Sequence, residues 1–298
     1  MIAFYDALAL GAAVCWAVSS LSSVTPVRHL GAFAFTRWRL LLVTLMLWTA
    51  AFAMGSWQSV PWGSYGVLGL SGLIGIFVGD TALFAAVNRL GPRRAGVLFA
   101  TNAVFSAGLG FWVLGERMSA QAAWGGALTV VGVMTAIVLG RRKEESHTWE
   151  ADRGHVGAGV ALGLLAALCQ ALGALIAKPV LGAEVDPVAA SAVRVTAAAA
   201  AHCAMLWLGF KVAQAQNKPT WRVLSQTGLN GFLGMGIGMS LILLALKHGD
   251  VGLVAILSSV SPVVVLPLLW WRLGRAPAPG AWLGAGLAVL GTGLVLLR

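Results

Sequence analysis

Gly66-Val67-Leu68-Gly69-Leu70-Ser71-Gly72-Leu73-Ile74-Gly75-Ile76-Phe77-Val78-Gly79 and Ser225-Gln226-Thr227-Gly228-Leu229-Asn230-Gly231-Phe232-Leu233-Gly234-Met235-Gly236-Ile237-Gly238 carry the same ladder of glycines. Gly69, Gly72, Gly75 and Gly79 recur at one constant offset as Gly228, Gly231, Gly234 and Gly238. The same offset holds for Gly115/Gly274, Gly125/Gly284 and Gly132/Gly291, so the chain contains a duplicated unit of about half its length. At about 100° per residue each ladder stays on one stripe of a helix, a face without side chains where a neighbour approaches closely. Tight packing alone explains such a stripe. A sliding surface, or a wall against which substrate lies, is the functional alternative.

Both ladders belong to apolar runs long enough to cross a bilayer. With 59% hydrophobic and 10% charged residues, the chain is far too apolar for a soluble domain. Mean hydropathy is +0.86. Ten spans are expected, at about 6–26, 31–53, 65–88, 94–114, 119–139, 156–177, 187–210, 225–246, 251–271 and 280–297. The fold class expected is therefore all-α integral membrane. No basic run precedes the first apolar stretch, which argues against a cleaved signal peptide.

The polar stretch from Arg141 to Arg153 divides five spans from five, giving a first repeat at 1–140, a linker at 141–155 and a second repeat at 156–298. Five is odd, so the second copy enters with opposite orientation, and an inverted repeat around a central cavity is expected. The net charge of +10 raises nucleic acid as a partner, but the Lys and Arg sit in short loops rather than on one soluble face, so none is expected. Outside the spans, thirteen basic residues fall on one side and four on the other (Arg117, Lys178, Lys247 and Arg298). The positive-inside rule makes the first side and the linker cytoplasmic and puts both termini outside. The partners expected are the lipid bilayer and a small-molecule substrate, for a monomer with a homodimer as the alternative.

Cys15, Cys169 and Cys203 lie within spans and form no C-x-x-C pair, so they read as buried thiols rather than metal or redox groups. No cofactor or metal is expected. Neither H-E-x-x-H, G-x-S-x-G nor a pair of intramembrane aspartates is present, which counts against an intramembrane lipid-modifying enzyme or protease. A channel would call for a ring of like residues. The absence of G-x-x-x-x-G-K-[ST] leaves a gradient as the driving force of a transporter.

Trp16 lies in Ala13-Val14-Cys15-Trp16-Ala17-Val18-Ser19-Ser20, Phe35-Thr36-Arg37 and Ala192-Val193-Arg194 place an arginine early in the second span of each half, Leu114-Gly115-Glu116-Arg117 precedes the fifth span, and Ser261-Pro262-Val263 lies in the ninth. With ten spans in two halves, these motifs resemble the EamA-type transporters of the drug/metabolite transporter superfamily. The chain departs from that pattern at Leu273-Gly274-Arg275, where the acidic residue would fall, and at Asn102-Ala103-Val104, where the proline would. The resemblance implies export of small metabolites across the inner membrane, amino acids prominent among them and aromatic amino acids as one branch.

A charge near the bilayer centre costs about 2.5–3.5 kcal/mol on insertion scales, so each one invites a role. Arg37 and Asp80 lie at similar depths, roughly 9 and 12 Å from the same end, and an Arg37–Asp80 pair is expected as a structural bridge or a gate. Arg194 takes the place of Arg37 in the second half, but Met239 stands where Asp80 would, so Arg194 either snorkels to carbonyls or receives a substrate carboxylate. The candidate cavity lining is Trp16, Asp80, Asn102, Gln170, Arg194, His202, Ser258 and Ser259, each polar or aromatic at mid-span. For Ser258 and Ser259, just ahead of Pro262, satisfying carbonyls freed by the proline is an equal alternative. The 251–271 span, with Pro262 and Pro267, is expected to bend more than its repeat partner at 94–114, which has no proline.

Overall fold

The computed structural model describes residues 2–139, 156–182, 185–273 and 278–297, all in helices or short connections. The expected linker at 141–155 lies outside them. In lipid every backbone group must be satisfied within its own segment, and the long apolar runs comply by coiling. The helices are α1 (Ile2–Ser22), α2 (Val24–Leu30), α3 (Ala32–Ala53), α4 (Trp62–Gly72), α5 (Gly79–Ala100), α6 (Asn102–Leu114) and α7 (Ala120–Leu139), then α8 (Val156–Leu181), α9 (Pro187–Trp207), α10 (Trp221–Gly231), α11 (Gly238–His248), α12 (Val251–Ser258), α13 (Ser261–Leu273) and α14 (Pro279–Leu296). Among the described residues, eight helical segments are long and apolar enough to cross a membrane, and Phe4–Ser19 is a shorter apolar helix. This is a multi-pass membrane protein.

The ladders hold two features that their sequence did not announce. A π-helical turn, Leu73–Val78, joins α4 to α5, and a second, Phe232–Ile237, joins α10 to α11. The two turns are separated along the chain by the same offset as the glycines themselves. Each ladder packs against the half of the chain to which it does not belong. A Cβ on Gly72 would overlap the Arg194 carbonyl and one on Gly75 would lie 3.1 Å from Gly173 Cα. On the other ladder, a Cβ on Gly231 would lie 3.0 Å from Arg39 Cγ and one on Gly234 would lie 2.6 Å from Ser19 Oγ. The last helices of the two halves meet in the same manner, Gly125 against Gly291 and Gly132 against Gly284.

Both mid-bundle spans break, although the proline-bearing one was expected to bend more than its partner. α6 starts after Thr101 (φ −66°, ψ −9°) and α12 stops at Ser259 (φ −68°, ψ −10°). The hydroxyl at each break donates to the carbonyl three residues back, Thr101 Oγ1 to Leu98 at 2.6 Å and Ser259 Oγ to Ile256 at 2.7 Å. A side-chain hydroxyl that takes a backbone carbonyl bends a helix without help from proline. The short loop expected between the third and fourth spans is also helical: α5 runs through it, with Leu90 packing at Gly159 and Leu98 at Gly163 of α8. Charge had marked that loop, and charge ends an apolar run without ending backbone hydrogen bonding.

The connections gather at two ends. At one, Ser59 Oγ accepts from Asp186 N at 2.9 Å, and the Glu116 carboxylate accepts from Val251 N at 2.9 Å. At the other, Gln216 N donates to Leu30 O at 3.0 Å and Asn217 Nδ2 to His29 O at 2.8 Å. Trp62 and Trp112 are exposed near the Glu116 end and Trp207, Trp221 and Trp271 near the Gln216 end, as interfacial tryptophans are.

Candidate functional site

Two arginines at membrane depth are built the same way. Arg39 is the eighth residue of α3 and Arg194 the eighth of α9, and each is pressed on by the glycine ladder of the opposite half. Arg39 Nη2 pairs with Asp80 Oδ2 at 2.9 Å, across from α3 to the start of α5. Arg194 Nη1 reaches the equivalent point at the start of α11 and finds Met239 Sδ at 3.4 Å. Asp80 and Met239 are related by the same offset as the ladder glycines.

The expected Arg37–Asp80 pair is therefore corrected: the partner is Arg39. Arg37 turns to the Gln216 end, where its Nη1 donates to Ala213 O. The reason is register. The interval that relates the two ladders carries Arg194 back to Phe35, so it selects neither arginine, and a place early in the span does not separate Arg37 from Arg39. Counting from the start of each helix selects Arg39.

The other candidates divide into three groups. His202 is buried on α9 between the rings of Phe33 and Phe77, with centroids at 6.3 and 5.0 Å, and its Nε2 has no hydrogen-bond partner. Phe77 belongs to the first π turn, so His202 and Arg194 both lie along the first ladder. Trp16 lies along the second: its indole Nε1 donates to Gly234 O, in the other π turn, at 2.8 Å. Gln170 is half-buried on α8, next to Cys169, which packs at Gly79. Asn102, Ser258 and Ser259 lie at the breaks after Thr101 and at Ser259. Asn102 Nδ2 donates to Phe99 O at 3.0 Å, Ser258 Oγ to Ala255 O at 3.1 Å and Ser259 Oγ to Ile256 O, so all three serve the breaks in their own helices.

Residues absent from the expected lining tie the halves together. Ser19 Oγ donates to Asn230 O at 3.0 Å, and Asn230 Nδ2 donates back to Ser19 O at 2.6 Å and to Ser22 Oγ at 3.2 Å, toward the Gln216 end. Toward the Glu116 end, Ser71 Oγ donates to Gly173 O at 2.6 Å. Ser71 and Asn230 are repeat equivalents, each the polar residue just before a ladder glycine, and that was the signal available in the sequence.

The Glu116 end has its own charged clasp. Lys178 Nζ donates to Leu246 O at 2.6 Å and to Gly249 O, capping the C-terminus of α11, while Glu116 takes the first N–H of α12. Each charge opposes the dipole end it meets. Burial pushes the Glu116 carboxyl above its ordinary range, and the Val251 N–H pulls it part of the way back. Beside it a groove of about 700 Å³ is lined by Val104, Phe111, Glu116, Met118 and Gly252. None of the expected lining residues borders it, and Val104 and Phe111 expose it to the lipid side. Among the described residues no group of three His, Cys, Asp or Glu side chains is placed to hold a metal ion.

The EamA-like transporter family matches this chain twice, over residues 3–138 and 157–297. A solved structure described only as a crystal structure of a protein superposes with a TM-score of 0.81 at 19% identity, covering 98% of this chain and 96% of the other. At that identity the likeness shows the fold alone. No curated protein sequence matches the chain.

Proposed function

The chain belongs to the EamA-like transporter family, and from that premise we propose that it is a secondary transporter exporting a small amphipathic metabolite across the inner membrane by alternating access. The substrate proposed is an amino acid with an aromatic or other apolar side chain, with the aromatic amino acid exporter YddG as the family member it would work like. Ten spans form two inverted five-helix repeats, with both termini outside the cytoplasm. The lining of the central cavity is proposed as Trp16, Asp80, Asn102, Gln170, Arg194, His202, Ser258 and Ser259. Family members are transporters rather than enzymes.

The observation that carries this reading is the pair of cross-half ties. Ser71–Gly173 lies toward one end of the bundle and Ser19–Asn230 toward the other, at equivalent positions of the two ladders. An inverted repeat has two arrangements of equal kind, one open to each side, and such ties break alternately as the halves rock. Smooth glycine faces and π turns at the crossing favour that motion, since no side chain has to be repacked.

The test is flux in proteoliposomes with a panel of labelled amino acids and other small metabolites. Saturable uptake of apolar or aromatic amino acids, dissipated when the ion gradient is collapsed, is expected. Flux that never saturates, or none for any metabolite, contradicts the reading.

A further inference from the structure

Arg39 and Arg194 occupy equivalent positions in equivalent surroundings and differ in one neighbour. Arg39 is neutralised by Asp80 at 2.9 Å. Arg194 is 2% exposed, its Nη1 meets a thioether, its Nε has no partner, and among the described residues no carboxylate lies within ion-pair distance. A guanidinium does not shed its proton in a protein, so burial cannot be relieved by neutralisation. A thioether is a weak acceptor, and a buried cation left with one is destabilised relative to a paired one. The Nε of Arg39 also lacks a partner, so the difference lies at the Nη groups: one arginine meets a carboxylate and the other a thioether at the same depth. One turn earlier on α9, Ser191 Oγ is fully buried and also without a partner.

We infer that Arg194 is an anion-binding residue that takes the carboxylate of the transported molecule, and that Met239, standing where the first half has Asp80, is what leaves it open to do so. That the anion is the cargo rests on the proposed function; that Arg194 holds an anion does not. A carboxylate engages guanidinium through two parallel hydrogen bonds and would repeat from solution the pairing that Asp80 supplies internally to Arg39. Met235, Met239 and Ile76 are buried in one apolar cluster, which suits an organic carboxylate over a hydrated inorganic anion. Asp80 on the other side already has its cation and does not compete.

The experiment measures thermal stabilisation of the purified protein by phenylacetate and L-phenylalanine, each against its amide, in wild type and in R194Q, M239D and M239L. The carboxylates are expected to raise the melting temperature of wild type and M239L, with the amides shifting it much less. R194Q should bind the carboxylates roughly 10- to 100-fold more weakly, the loss typical of a charge-assisted hydrogen bond. M239D should melt higher than wild type without ligand and lose the carboxylate response, because its own side chain fills the site. Amides as effective as acids, a carboxylate response preserved in R194Q, or no response to either carboxylate in wild type would overturn the inference. Flux in proteoliposomes separates the two readings: saturable transport that ignores R194Q sinks the anion site and leaves the transporter, whereas carboxylate binding through Arg194 without flux sinks the transporter and leaves the site.

Discussion

Asp80 has two arginines within reach in the sequence and one in space. Removing Asp80 by Asp80→Asn leaves Arg39 buried beside a neutral partner, a change that costs about 3–5 kcal/mol where burial is complete. With the Arg39 and Asp80 side chains 13% and 17% exposed, the lower part of that range is expected. A double-mutant cycle should give a coupling above about 1 kcal/mol for Arg39 with Asp80 and none for Arg37 with Asp80; equal coupling for both arginines would mean the pairing exchanges. Glu116 offers a test outside the membrane. Its folded-state carboxyl sits above the ordinary 4.5, so the folded protein favours the protonated form more than the unfolded chain does. Its contribution is complete below that ordinary value and is lost as pH rises through the raised one. Glu116→Gln keeps an acceptor for Val251 N, so it should flatten the melting temperature against pH above about 4.5. An unchanged pH profile would show that another group titrates there. The sequence displayed the polar side chains and their depth but not their partners: Asn102, Ser258 and Ser259 have the composition of a cavity wall, and their donors are spent on carbonyls three residues back. Nothing in residue type separates those two uses.

At the scale of elements, the glycine ladders were legible because a stripe without side chains is a pattern of composition, and the structure puts both stripes at crossings between the halves. The π turns were not legible, since a wider turn is a matter of backbone hydrogen bonding and leaves no residue signature. The matching breaks after Thr101 and at Ser259 were half legible: proline announced one, and a hydroxyl available in both sequences made the other. The ladders also make unequal demands. A methyl group at Gly72 meets backbone that cannot move, the Arg194 carbonyl, whereas at Gly231 it meets the side chains of Val43 and Arg39. Gly72→Ala should therefore lower stability by more than Gly231→Ala, by roughly 1–3 kcal/mol of overpacking against less than that. Gly69→Ala, where the nearest atom would be Ala197 Cβ at 3.9 Å, should be neutral. Thermal midpoints of the three variants in detergent check the order, and a Gly72→Ala protein as stable as Gly69→Ala would show that α4 and α9 are not packed as described.

For the whole molecule, membrane class and family were open to composition and motif order, because hydrocarbon imposes long apolar helices on any chain that crosses it. The way the halves interlock was not, because it depends on which ladder faces which helix. The central claim is that the ties at the two ends open in turn. Two reporters isolate the ends in a background without Cys15, Cys169 and Cys203: Ser19→Cys with Asn230→Cys at one and, because a Cβ on Gly173 would lie 2.7 Å from Gly75 Cα, Ser59→Cys with Asp186→Cys at the other. The measurement is substrate flux in proteoliposomes before and after each pair is bridged by a short thiol crosslinker and then released with reductant. The account predicts that bridging either pair alone stops flux, that reductant restores it, and that each bridge leaves the opposite end reachable by aqueous thiol reagents. Flux that continues with both ends bridged would contradict alternating access in this protein.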